Sequence, residues 1–478
     1  MKKIMQNLTG ETIVTVEGKK IELGKMVGFG SQGVVYEAKN ETDIVIKLYY
    51  PTGSSVVNDD ILERLNYIRN YMRYVKIPTN FVTILDLIKT PFVGYVMEKV
   101  AGYKSLNSYL IPDKALSFSE WYNKGLGLRE RIFIGFVIAK AFAALERINL
   151  SYCDISGNNI LVKINKSASI KMIDVDNIYI AGKGTASVLG TPRYIAPEVI
   201  SGRKNPDVLS DNYSLAVILF ELLRVGHPYI SDDILDGTPD DEEAAYAGKF
   251  DYITDENSTN MLPSDIVFTD KLKELFRKCF VDGKSNRLLR PSARDFQFSL
   301  LEASNKVIKC PNCGAWHYPK KEGRKFVGCP WCEAPTSPRA LLNFYDVLLE
   351  GKDYQRGKTI DGSLYGELVN TYILREGKNQ IKSLYVLRYD DLSKEERSSE
   401  NYLTIAKDSN GYWAYNEFSK NGIIIRKNKS NGYYRLENNK AHRLENGDRI
   451  YFELNLDGAV LVDNKKYSFI RMARFLEV

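Results

Sequence analysis

The sequence predicts an α+β protein of several domains, and three observations lead to this prediction. The chain has 478 residues, which corresponds to about two to four domains of ordinary size. Short β-rich segments with a single helical stretch come first, and a longer, mainly helical region follows. After a cysteine-rich segment, the last part of the chain again consists of short β-rich runs between Gly and Asn turns.

Composition narrows the class of protein. Charged residues make up 26% of the chain and hydrophobic residues 44%, which excludes a disordered chain, a collagen and a short disulfide scaffold. The net charge of +6 requires no polyanionic partner. The first residues lack the apolar stretch of a signal peptide, and the longest apolar run, residues 132–139, is far shorter than the roughly 18 to 20 residues that span a bilayer. We therefore expect a cytoplasmic protein without membrane contact.

Two regions are expected before residue 305. Residues 1–100 contain several β-rich runs around one helical stretch, which predicts a small sheet with one prominent helix. In residues 101–304, apolar side chains recur at helical spacing, which predicts a larger and mainly helical region. The expected strands are 34–38, 44–49 and 92–97, and the expected helices are 59–74, 128–148, 211–223 and 271–280.

A glycine-rich element lies between two of the β-rich runs. Gly28, Gly30 and Gly33 form a G-x-G-x-x-G pattern, and Val35 follows it. Missing side chains allow backbone N–H groups to approach phosphate oxygens, although a glycine-rich β-turn explains such a pattern equally well when it stands alone. A dinucleotide-binding element would open a helix, whereas residues 34–38 are typical of a returning strand.

Charged and carboxamide side chains follow in order. Lys47 ends an apolar strand and needs an acidic partner when it is desolvated, and Glu63 on the expected helix is the candidate. Asp154 precedes Asn159 by five residues, and Asp174 ends another apolar strand. These three residues can supply a base and the oxygen ligands that magnesium prefers. Each of these residues could occur alone for other reasons, but the whole set in this order is not expected by chance.

In this order the motifs resemble the eukaryotic-type (Hanks-type) protein kinase family over about residues 20–304. The resemblance implies a bilobal kinase fold that uses ATP and magnesium, with residues 1–100 as the first lobe and residues 101–304 as the second. Lys47 is then expected to contact the α- and β-phosphates and to pair with Glu63. Asp154 would receive the proton of the substrate hydroxyl, while Asn159 and Asp174 would bind magnesium. The residues expected around ATP are Gly28, Gly30, Gly33, Val35, Lys47, Met97, Glu98, Val100 and Leu161.

Further landmarks of the family lie in the second lobe. Residues 190–198 are similar to the end of an activation segment, and Arg290 is the expected ion-pair partner of Glu198. Asp211 matches the aspartate that holds the catalytic loop in this family. The resemblance thus implies a platform for protein substrates.

Four features depart from the family pattern. Tyr152 and Cys153 replace the usual His-Arg, so regulation by a phosphate on the activation segment is less expected. Ser156 replaces a lysine, which removes a cation near the transferred phosphoryl group. Asp176 stands where the family has a glycine, and Val45 replaces a small alanine above adenine. Because the phosphate, metal and proton ligands are retained, we favour an active enzyme over a pseudokinase.

A cysteine cluster follows the kinase-like region. Cys310 and Cys313 and, after fifteen intervening residues, Cys329 and Cys332 form a C-x2-C-x15-C-x2-C pattern. This spacing is typical of a closed, structural zinc site, so residues 305–339 are expected to be a zinc ribbon, with a redox dithiol as the alternative. His317 is expected to be a surface residue and not a ligand. For the basic side chains around the ribbon, we favour a solvated docking face over a nucleic-acid contact.

Residues 340–478 are expected to form an all-β sandwich after a short helix at 340–349. Its runs resemble a diverged forkhead-associated domain, a sandwich that binds phosphothreonine peptides. The nearest cation to the arginine of that family is Lys382, and His442 lies away from the family's histidine position, while Asn421 is a candidate to hold a peptide backbone. A phosphopeptide and a phosphate-independent protein partner therefore both stay open. The expected strands are 372–375, 384–389, 422–426 and 449–453.

The leading interpretation is a protein kinase that transfers the γ-phosphate of ATP to serine or threonine of protein substrates. The zinc ribbon and the β-sandwich are then docking modules. An ATP-binding pseudokinase scaffold is the first alternative. A small-molecule kinase is the second: the missing arginine favours it, and the pair of Glu198 and Arg290 speaks against it. The arrangement is similar to bacterial stress-response kinases encoded beside von Willebrand factor A-domain proteins and metal-dependent phosphatases.

Overall fold

The computed structural model divides the chain into two compact units, Met1–Leu300 and Leu301–Val478. None of the helices within the described residues combines the length and the apolar character needed to cross a bilayer. The structure describes all residues except 1–4, 6, 52–56, 165–167, 181–189, 257, 323–324, 351–365, 387–400, 417–422, 431–432, 453–458 and 463–464.

The first unit begins with a closed antiparallel barrel. Its strands are β1 Thr12–Thr15, β2 Lys20–Phe29, β3 Gly33–Ala38, β4 Glu41–Tyr49, β5 Ile84–Thr90 and β6 Gly94–Glu98. They follow one another around the barrel in the order β1-β2-β3-β4-β6-β5. Because successive side chains of a strand point to opposite faces, Val34 and Tyr36 of β3 belong to the barrel core while Val35 faces away from it. The three strands predicted at 34–38, 44–49 and 92–97 are confirmed in β3, β4 and β6.

The helix predicted at 59–74 is confirmed as α1, Val57–Val75. Its buried side chains include Leu65, Ile68 and Met72, which recur at the three- and four-residue spacing of one helix face. This face packs against β5 of the barrel.

The rest of the first unit is mainly helical, as predicted. Its longer helices are α2 Phe118–Gly125, α3 Leu128–Arg147, α4 Val208–Arg224, α5 Pro239–Tyr246, α6 Asp270–Arg277 and α7 Ala293–Lys306, whose residues from Leu301 onward belong to the second unit. Its helical turns are Leu106–Tyr109, Val175–Asn177, Pro192–Tyr194, Pro197–Ile200, Asp232–Leu235, Ser264–Val267, Lys278–Asp282, Gly283–Ser285 and Arg287–Leu289. Its short strands are β7 Lys104–Ser105, β8 Leu150–Ser151, β9 Ile160–Ile164, β10 Ala168–Met172 and β11 Tyr179–Ile180.

Helix α4 lies at the centre of this helical part, and residues 210–224 are all buried. Its Phe220 ring packs against the rings of Phe276 and Phe280 at centroid distances of 5.4 and 6.0 Å. Nearby, the guanidinium of Arg290 donates two hydrogen bonds of 2.7 Å to the carboxylate of Glu198, which confirms the predicted ion pair. A paired, buried charge of this kind holds the segment around Glu198 against the helices.

The second unit contains two short hairpins and two larger sheets. The hairpins pair β12 Ile308–Lys309 with β13 Trp316–His317 and β14 Lys321–Glu322 with β15 Lys325–Phe326. The remaining strands are β16 Ala340–Glu350, β17 Gly366–Leu374, β18 Lys378–Lys382, β19 Asn401–Asp408, β20 Gly411–Tyr415, β21 Ile423–Arg426, β22 Tyr433–Leu436, β23 Ala441–Leu444, β24 Arg449–Phe452, β25 Ala459–Val462 and β26 Lys465–Glu477.

These strands form a seven-stranded sheet, β17-β16-β26-β24-β21-β22 with β25 beside β26, and a four-stranded sheet, β18-β19-β20-β23. The sheets pack on each other through Tyr412 of β20 and Phe475 of β26, whose ring centroids are 5.3 Å apart.

Two predictions for this unit are wrong. Residues 340–349 form strand β16 and not a helix. Leu341 and Leu342 are both buried although neighbouring side chains of a strand point to opposite faces, so β16 is apolar on both sides and lacks the alternation that marks a strand. In the strand expected at 384–389, the described residues belong to the short helix Ser383–Val386. The rest of that run lies outside the described residues.

Candidate active site

A cavity of about 670 Å³ opens between the barrel and the helical part of the first unit. This volume lies within the range of about 300 to 1,000 Å³ that is usual for ligand pockets. All predicted catalytic and ATP-contacting residues except Glu63 line it. They are Gly28, Gly30, Gly33, Val35, Lys47, Met97, Glu98, Val100, Asp154, Asn159, Leu161 and Asp174.

The glycine-rich loop joins β2 to β3 over the cavity. A Cβ atom added at Gly28 or Gly30 would meet no other atom within 4 Å, so the loop leaves open space on its surface. At Gly33, by contrast, a Cβ atom would lie 2.1 Å from the carbonyl oxygen of Leu48. Gly33 is therefore required for the close pairing of β3 with β4, whereas Gly28 and Gly30 leave room for a ligand near the backbone.

One end of the cavity is apolar. Val35, Met97 and Leu161 line it together with Val45, the residue that is bulkier than expected for this position. Val45 and Met97 are register partners on β4 and β6, so their positions are set by the barrel. Such a slot suits a flat, largely apolar ring.

Asp154 lies in the loop between β8 and β9, and both of its carboxylate oxygens are hydrogen-bonded. The hydroxyl of Thr191 donates to Oδ1 at 2.8 Å, and the side-chain amide of Asn159 donates to Oδ2 at 2.9 Å. These bonds orient the carboxylate at the wall of the cavity. The residues predicted as base and metal ligand are thus direct neighbours.

Asp211 of α4 holds the backbone of this loop, as predicted. Its carboxylate accepts the N–H groups of Tyr152 at 2.5 Å and Cys153 at 3.1 Å. Cys153 adopts a left-handed backbone conformation with φ of 69°, which is costly for a residue with a side chain. Burial raises the pKa of Asp211 to about 7 despite the two backbone hydrogen bonds. The Asp211 bonds therefore stabilise a strained turn next to Asp154.

Asp174 and Asn159 fit a magnesium ion. Asp174 also has a left-handed backbone conformation, with φ of 59°, and its side chain is 31% exposed toward the cavity it lines. The amide nitrogen of Asn159 is committed to Asp154, so the carboxamide oxygen is the atom that Asn159 can offer to a cation. A carboxylate and a carboxamide oxygen are the hard ligands that magnesium prefers.

The predicted pairing of Lys47 with Glu63 is wrong. Glu63 is exposed on α1, whereas the Lys47 amine donates to Asp174 Oδ1 at 3.1 Å and to both carboxylate oxygens of Asp176 at 3.1 and 3.0 Å. Asp176 also accepts hydrogen bonds from the hydroxyls of Tyr49 and Tyr95. A buried acid on another segment therefore satisfies the lysine, and the acid on the helix is left at the surface.

The Lys47–Asp176 pair is ionised in the folded chain. Burial alone would raise the pKa of Asp176, but the charge of Lys47 and the hydrogen bonds from Tyr49, Lys47 and Tyr95 hold this pKa below its ordinary value. Burial would likewise lower the pKa of Lys47, but attraction by Asp176 and Asp174 holds it above its ordinary value. The Lys47 ammonium at the inner end of the cavity is therefore charged, and the nearby carboxylates of Asp176 and Asp174 balance its charge.

The family model described as "Protein kinase domain" matches residues 21–298, which is more than half of the chain. The chain belongs to the protein kinase domain family. The predicted α+β class and the kinase fold are confirmed by this match.

The proteins to which this chain is similar include bacterial and eukaryotic kinases. Protein kinase YegI of Escherichia coli (strain K12) is 22% identical over 363 residues, which cover 71% of this chain and 52% of YegI. Serine/threonine-protein kinase AtPK1/AtPK6 of Arabidopsis thaliana is 25% identical over 215 residues, 44% of this chain and 43% of the relative. A cGMP-dependent protein kinase of Drosophila melanogaster is 35% identical over 98 residues, 20% of this chain and 10% of the relative. The chain thus spans about half the length of the bacterial kinase.

Sequence reasoning missed a polar bridge across the kinase cleft. Gln32 of the glycine-rich loop donates to the Asn177 side-chain oxygen at 3.3 Å, and the Asn177 amide donates to Asp154 at 3.5 Å. Ser156, at the position of the missing lysine, is buried and lines the same cavity. In the sequence, Asp176 stands at the position of the family's glycine and Asn177 follows it directly. These two neighbouring polar residues are the signal that could have indicated the bridge.

The four cysteines outside the kinase domain lie together. Their sulfur atoms all lie within 4.8 Å of one another, with 3.6 Å between Cys310 and Cys332 and 3.7 Å between Cys313 and Cys329. Four thiolates at about 2.3 Å from a tetrahedral zinc ion are separated by about 3.8 Å, whereas a disulfide needs about 2.05 Å. The cluster therefore has the dimensions of a zinc site.

Both cysteine pairs lie in the same type of turn. The N–H of Gly314 donates to Cys310 O at 3.0 Å, and the N–H of Glu333 donates to Cys329 O at 2.8 Å. The hydrogen bond from the Asn312 side chain lowers the pKa of the Cys332 thiol to about 6, whereas burial raises the pKa of Cys313 and Cys329. These features fit a metal ligand set.

The prediction that His317 is a surface residue is wrong. Its side chain is buried and is hydrogen-bonded to Tyr318 O at 3.0 Å and to the Thr336 hydroxyl at 3.2 Å. The ring packs inside the ribbon because β13 pairs with β12 over this short segment. The cluster of sulfur atoms consists of the four cysteines, and the His317 ring nitrogens are hydrogen-bonded to Tyr318 and Thr336 instead.

Lys382 and His442, the two residues compared with the phosphate-binding positions of the forkhead-associated family, lie apart in the C-terminal sheets. Lys382 is exposed on β18, while His442 lies on β23 and stacks on Tyr434 at a centroid distance of 4.2 Å. Strands β18 and β23 are opposite edges of the four-stranded sheet. Asn421, the candidate for holding a peptide backbone, lies outside the described residues.

Proposed function

We propose that the chain is an ATP-dependent protein kinase that transfers the γ-phosphate to serine or threonine of protein substrates. The observation that supports this most strongly is that Lys47, Asp154, Asn159 and Asp174 line one cavity with the glycine-rich loop. In-line phosphoryl transfer needs little covalent chemistry from the protein, so positioning and charge neutralisation are sufficient.

ATP is proposed to bind with its base in the apolar slot and its phosphates under the loop. Met97 and Leu161 would contact the base, with backbone groups of Glu98 and Val100 at its edge. The Lys47 ammonium would bind the α- and β-phosphates, since it lines the cavity beneath the glycine-rich loop and is a strong hydrogen-bond donor to phosphate. Magnesium held by Asn159 and Asp174 would neutralise charge on the phosphates.

Asp154 is proposed to accept the proton of the substrate hydroxyl. Its Oδ1 accepts from Thr191 and its Oδ2 from Asn159, so the carboxylate has a set orientation toward the cleft. Oδ2 also accepts from Asn177, whereas Oδ1 keeps a further lone pair, which leaves Asp154 able to accept one more hydrogen bond. A hydroxyl placed there can lose its proton as its oxygen attacks the γ-phosphorus.

A second cavity, of about 500 Å³, favours a polypeptide as the substrate over a small molecule. Asn158 and Thr191 line both cavities, so the second one extends the first along the helical part. Its wall includes Ile111 and Leu235, whose side chains are exposed. The Glu221 carboxylate in this wall is already paired with Arg193, so it offers no unpaired charge.

Mass spectrometry of the full chain after incubation with ATP and magnesium tests this proposal. We expect phosphate on serine or threonine of the wild type and none on the Lys47→Ala variant, because the variant lacks the cation for the phosphates. Equal phosphorylation of both proteins would contradict the proposal. Retained ATP binding without phosphorylation of the chain or of added protein would support the alternative, a pseudokinase scaffold, which the replacement of the catalytic-loop lysine by Ser156 favours.

We further propose that residues 305–339 bind a structural zinc ion and that the ribbon and the C-terminal sheets dock protein partners. Titration of the full chain with phosphothreonine peptides separates the two types of partner: binding indicates phosphopeptide recognition, and no binding at millimolar peptide leaves a phosphate-independent partner. A cytoplasmic location is proposed because none of the six cysteines, all of them among the described residues, forms a disulfide, and cell fractionation tests it.

A further inference from the structure

Asp176 is a buried carboxylate to which the proposed reaction assigns no role. Its side chain has no exposed surface, and it accepts hydrogen bonds from three side chains. The Lys47 amine bonds to both oxygens, while Tyr95 donates to Oδ1 at 2.8 Å and Tyr49 to Oδ2. A carboxylate removed from water in this way needs such partners.

The donors of this network come from the rigid barrel. Lys47 and Tyr49 lie on β4, and Tyr95 lies on the adjacent β6, where it is the register partner of Lys47. Both tyrosines and Lys47 are buried, so few other positions are open to the amine. Two of the three bonds that hold the Lys47 nitrogen are therefore made by Asp176, and the third is made by Asp174 Oδ1 at 3.1 Å.

Helix α1 contributes a different contact. Glu63 is exposed, and the next residue, Arg64, donates from its guanidinium to the backbone carbonyl of Asp176 at 2.8 Å. The helix thus contacts the segment Asp174–Asp176 and not the lysine itself. This three-residue segment contains Asp176, which bonds to Lys47, and Asp174, which is proposed to bind magnesium.

We propose that Asp176 is the positioning residue of Lys47 and replaces Glu63 in that role. The inference depends on the proposed function in one respect, namely that Lys47 contacts the phosphates of ATP. It explains why an aspartate stands at this position, because its carboxylate supplies the charge that a buried lysine needs.

A double-mutant cycle on ATP binding tests this inference in the full chain. We expect Asp176→Asn to weaken ATP binding about 100-fold in the presence of magnesium, because one partner of a buried ion pair is lost. In the Lys47→Met background, the same Asp176→Asn change is expected to alter the ATP affinity less than about twofold, because Asp176 acts through Lys47. Glu63→Gln alone is expected to have an effect of less than about threefold, as is usual for an exposed side chain.

Two results would overturn the inference. One is an equal loss of ATP affinity from Asp176→Asn with and without Lys47. The other is a loss from Glu63→Gln as large as that from Asp176→Asn. Should Asp176→Asn unfold the chain, Tyr95→Phe removes a single hydrogen bond to Asp176 and is expected to weaken ATP binding about fivefold, again only while Lys47 is present. Because binding is measured, a wild type that binds ATP without phosphoryl transfer contradicts the proposed function but still tests the role of Asp176.

Discussion

Replacing Asp174 by asparagine is expected to lower magnesium-dependent phosphoryl transfer at least about 1,000-fold. The change keeps the shape of the side chain but removes one negative charge from the site proposed for magnesium. Lys47 keeps its two bonds to the Asp176 carboxylate, so the cleft is expected to stay folded. Steady-state rates of phosphate incorporation, measured over a range of magnesium concentrations, give the size of the loss.

A surface aspartate provides the matched control for this prediction. Asp265 is exposed and paired with Lys273, and an exposed pair of this kind contributes little to stability. Asp265→Asn is therefore expected to keep the rate within about twofold of the wild type. Equal rates for Asp174→Asn and the wild type at all magnesium concentrations would show that Asp174 is not a metal ligand.

The second large effect is expected in the cysteine cluster. Replacing Cys313 by serine removes one thiolate of four, and the bound zinc is expected to fall from about one ion per chain to less than about 0.2. The hairpins of the ribbon have only two residues in each strand, so we expect their stability to depend on the proposed zinc ion. Zinc content by mass spectrometry and protease cleavage within residues 305–339 report the two effects.

Cys279 provides the control, because it is a buried thiol far along the sequence from the cluster. Cys279→Ala is expected to keep about one zinc ion per chain and an uncut ribbon. Cys313 is exposed, so its replacement by serine leaves no cavity in a core that would explain a general loss of stability. A wild type without zinc, or full zinc content in Cys313→Ser, would contradict the proposed metal site.

Short motifs allowed most of the kinase cleft to be predicted from the sequence. The glycine pattern, Asp154 with Asn159, and the aspartate at the end of a strand each constrain a local backbone structure. The order of these motifs then placed them in one fold. For that reason, the twelve residues predicted from the motifs and from the family resemblance all line one cavity.

Short motifs do not identify the acid that pairs with Lys47. The amine meets Asp176, which lies 129 positions further along the chain, and no local pattern determines which of two acids is buried. Glu63 was expected from the family resemblance, but the orientation of α1 leaves it in solvent and directs Arg64 to the cleft. The packing of α1 on the barrel determines which of its polar side chains faces the cleft. The spacing of apolar residues in the sequence does not specify that orientation.

Burial on two sides accounts for the wrong helix at 340–349. A half-buried strand alternates apolar and polar side chains, whereas β16, paired with β17 and β26, begins with the neighbouring buried residues Ala340, Leu341 and Leu342. His317 shows the same limit on a smaller scale. The burial of the His317 ring depends on how the ribbon folds, and the spacing of the four cysteines does not determine that fold.

The central claim is that this chain transfers the γ-phosphoryl group of ATP to protein. Its most direct test compares ATP labelled at the γ-phosphate with ATP labelled at the α-phosphate, using the wild type and Asp154→Asn. The account predicts that protein becomes labelled only from the γ-position, only with magnesium, and only with the wild type. Labelling of Asp154→Asn to the same extent, or no labelling of the wild type or of added protein substrates, would contradict it.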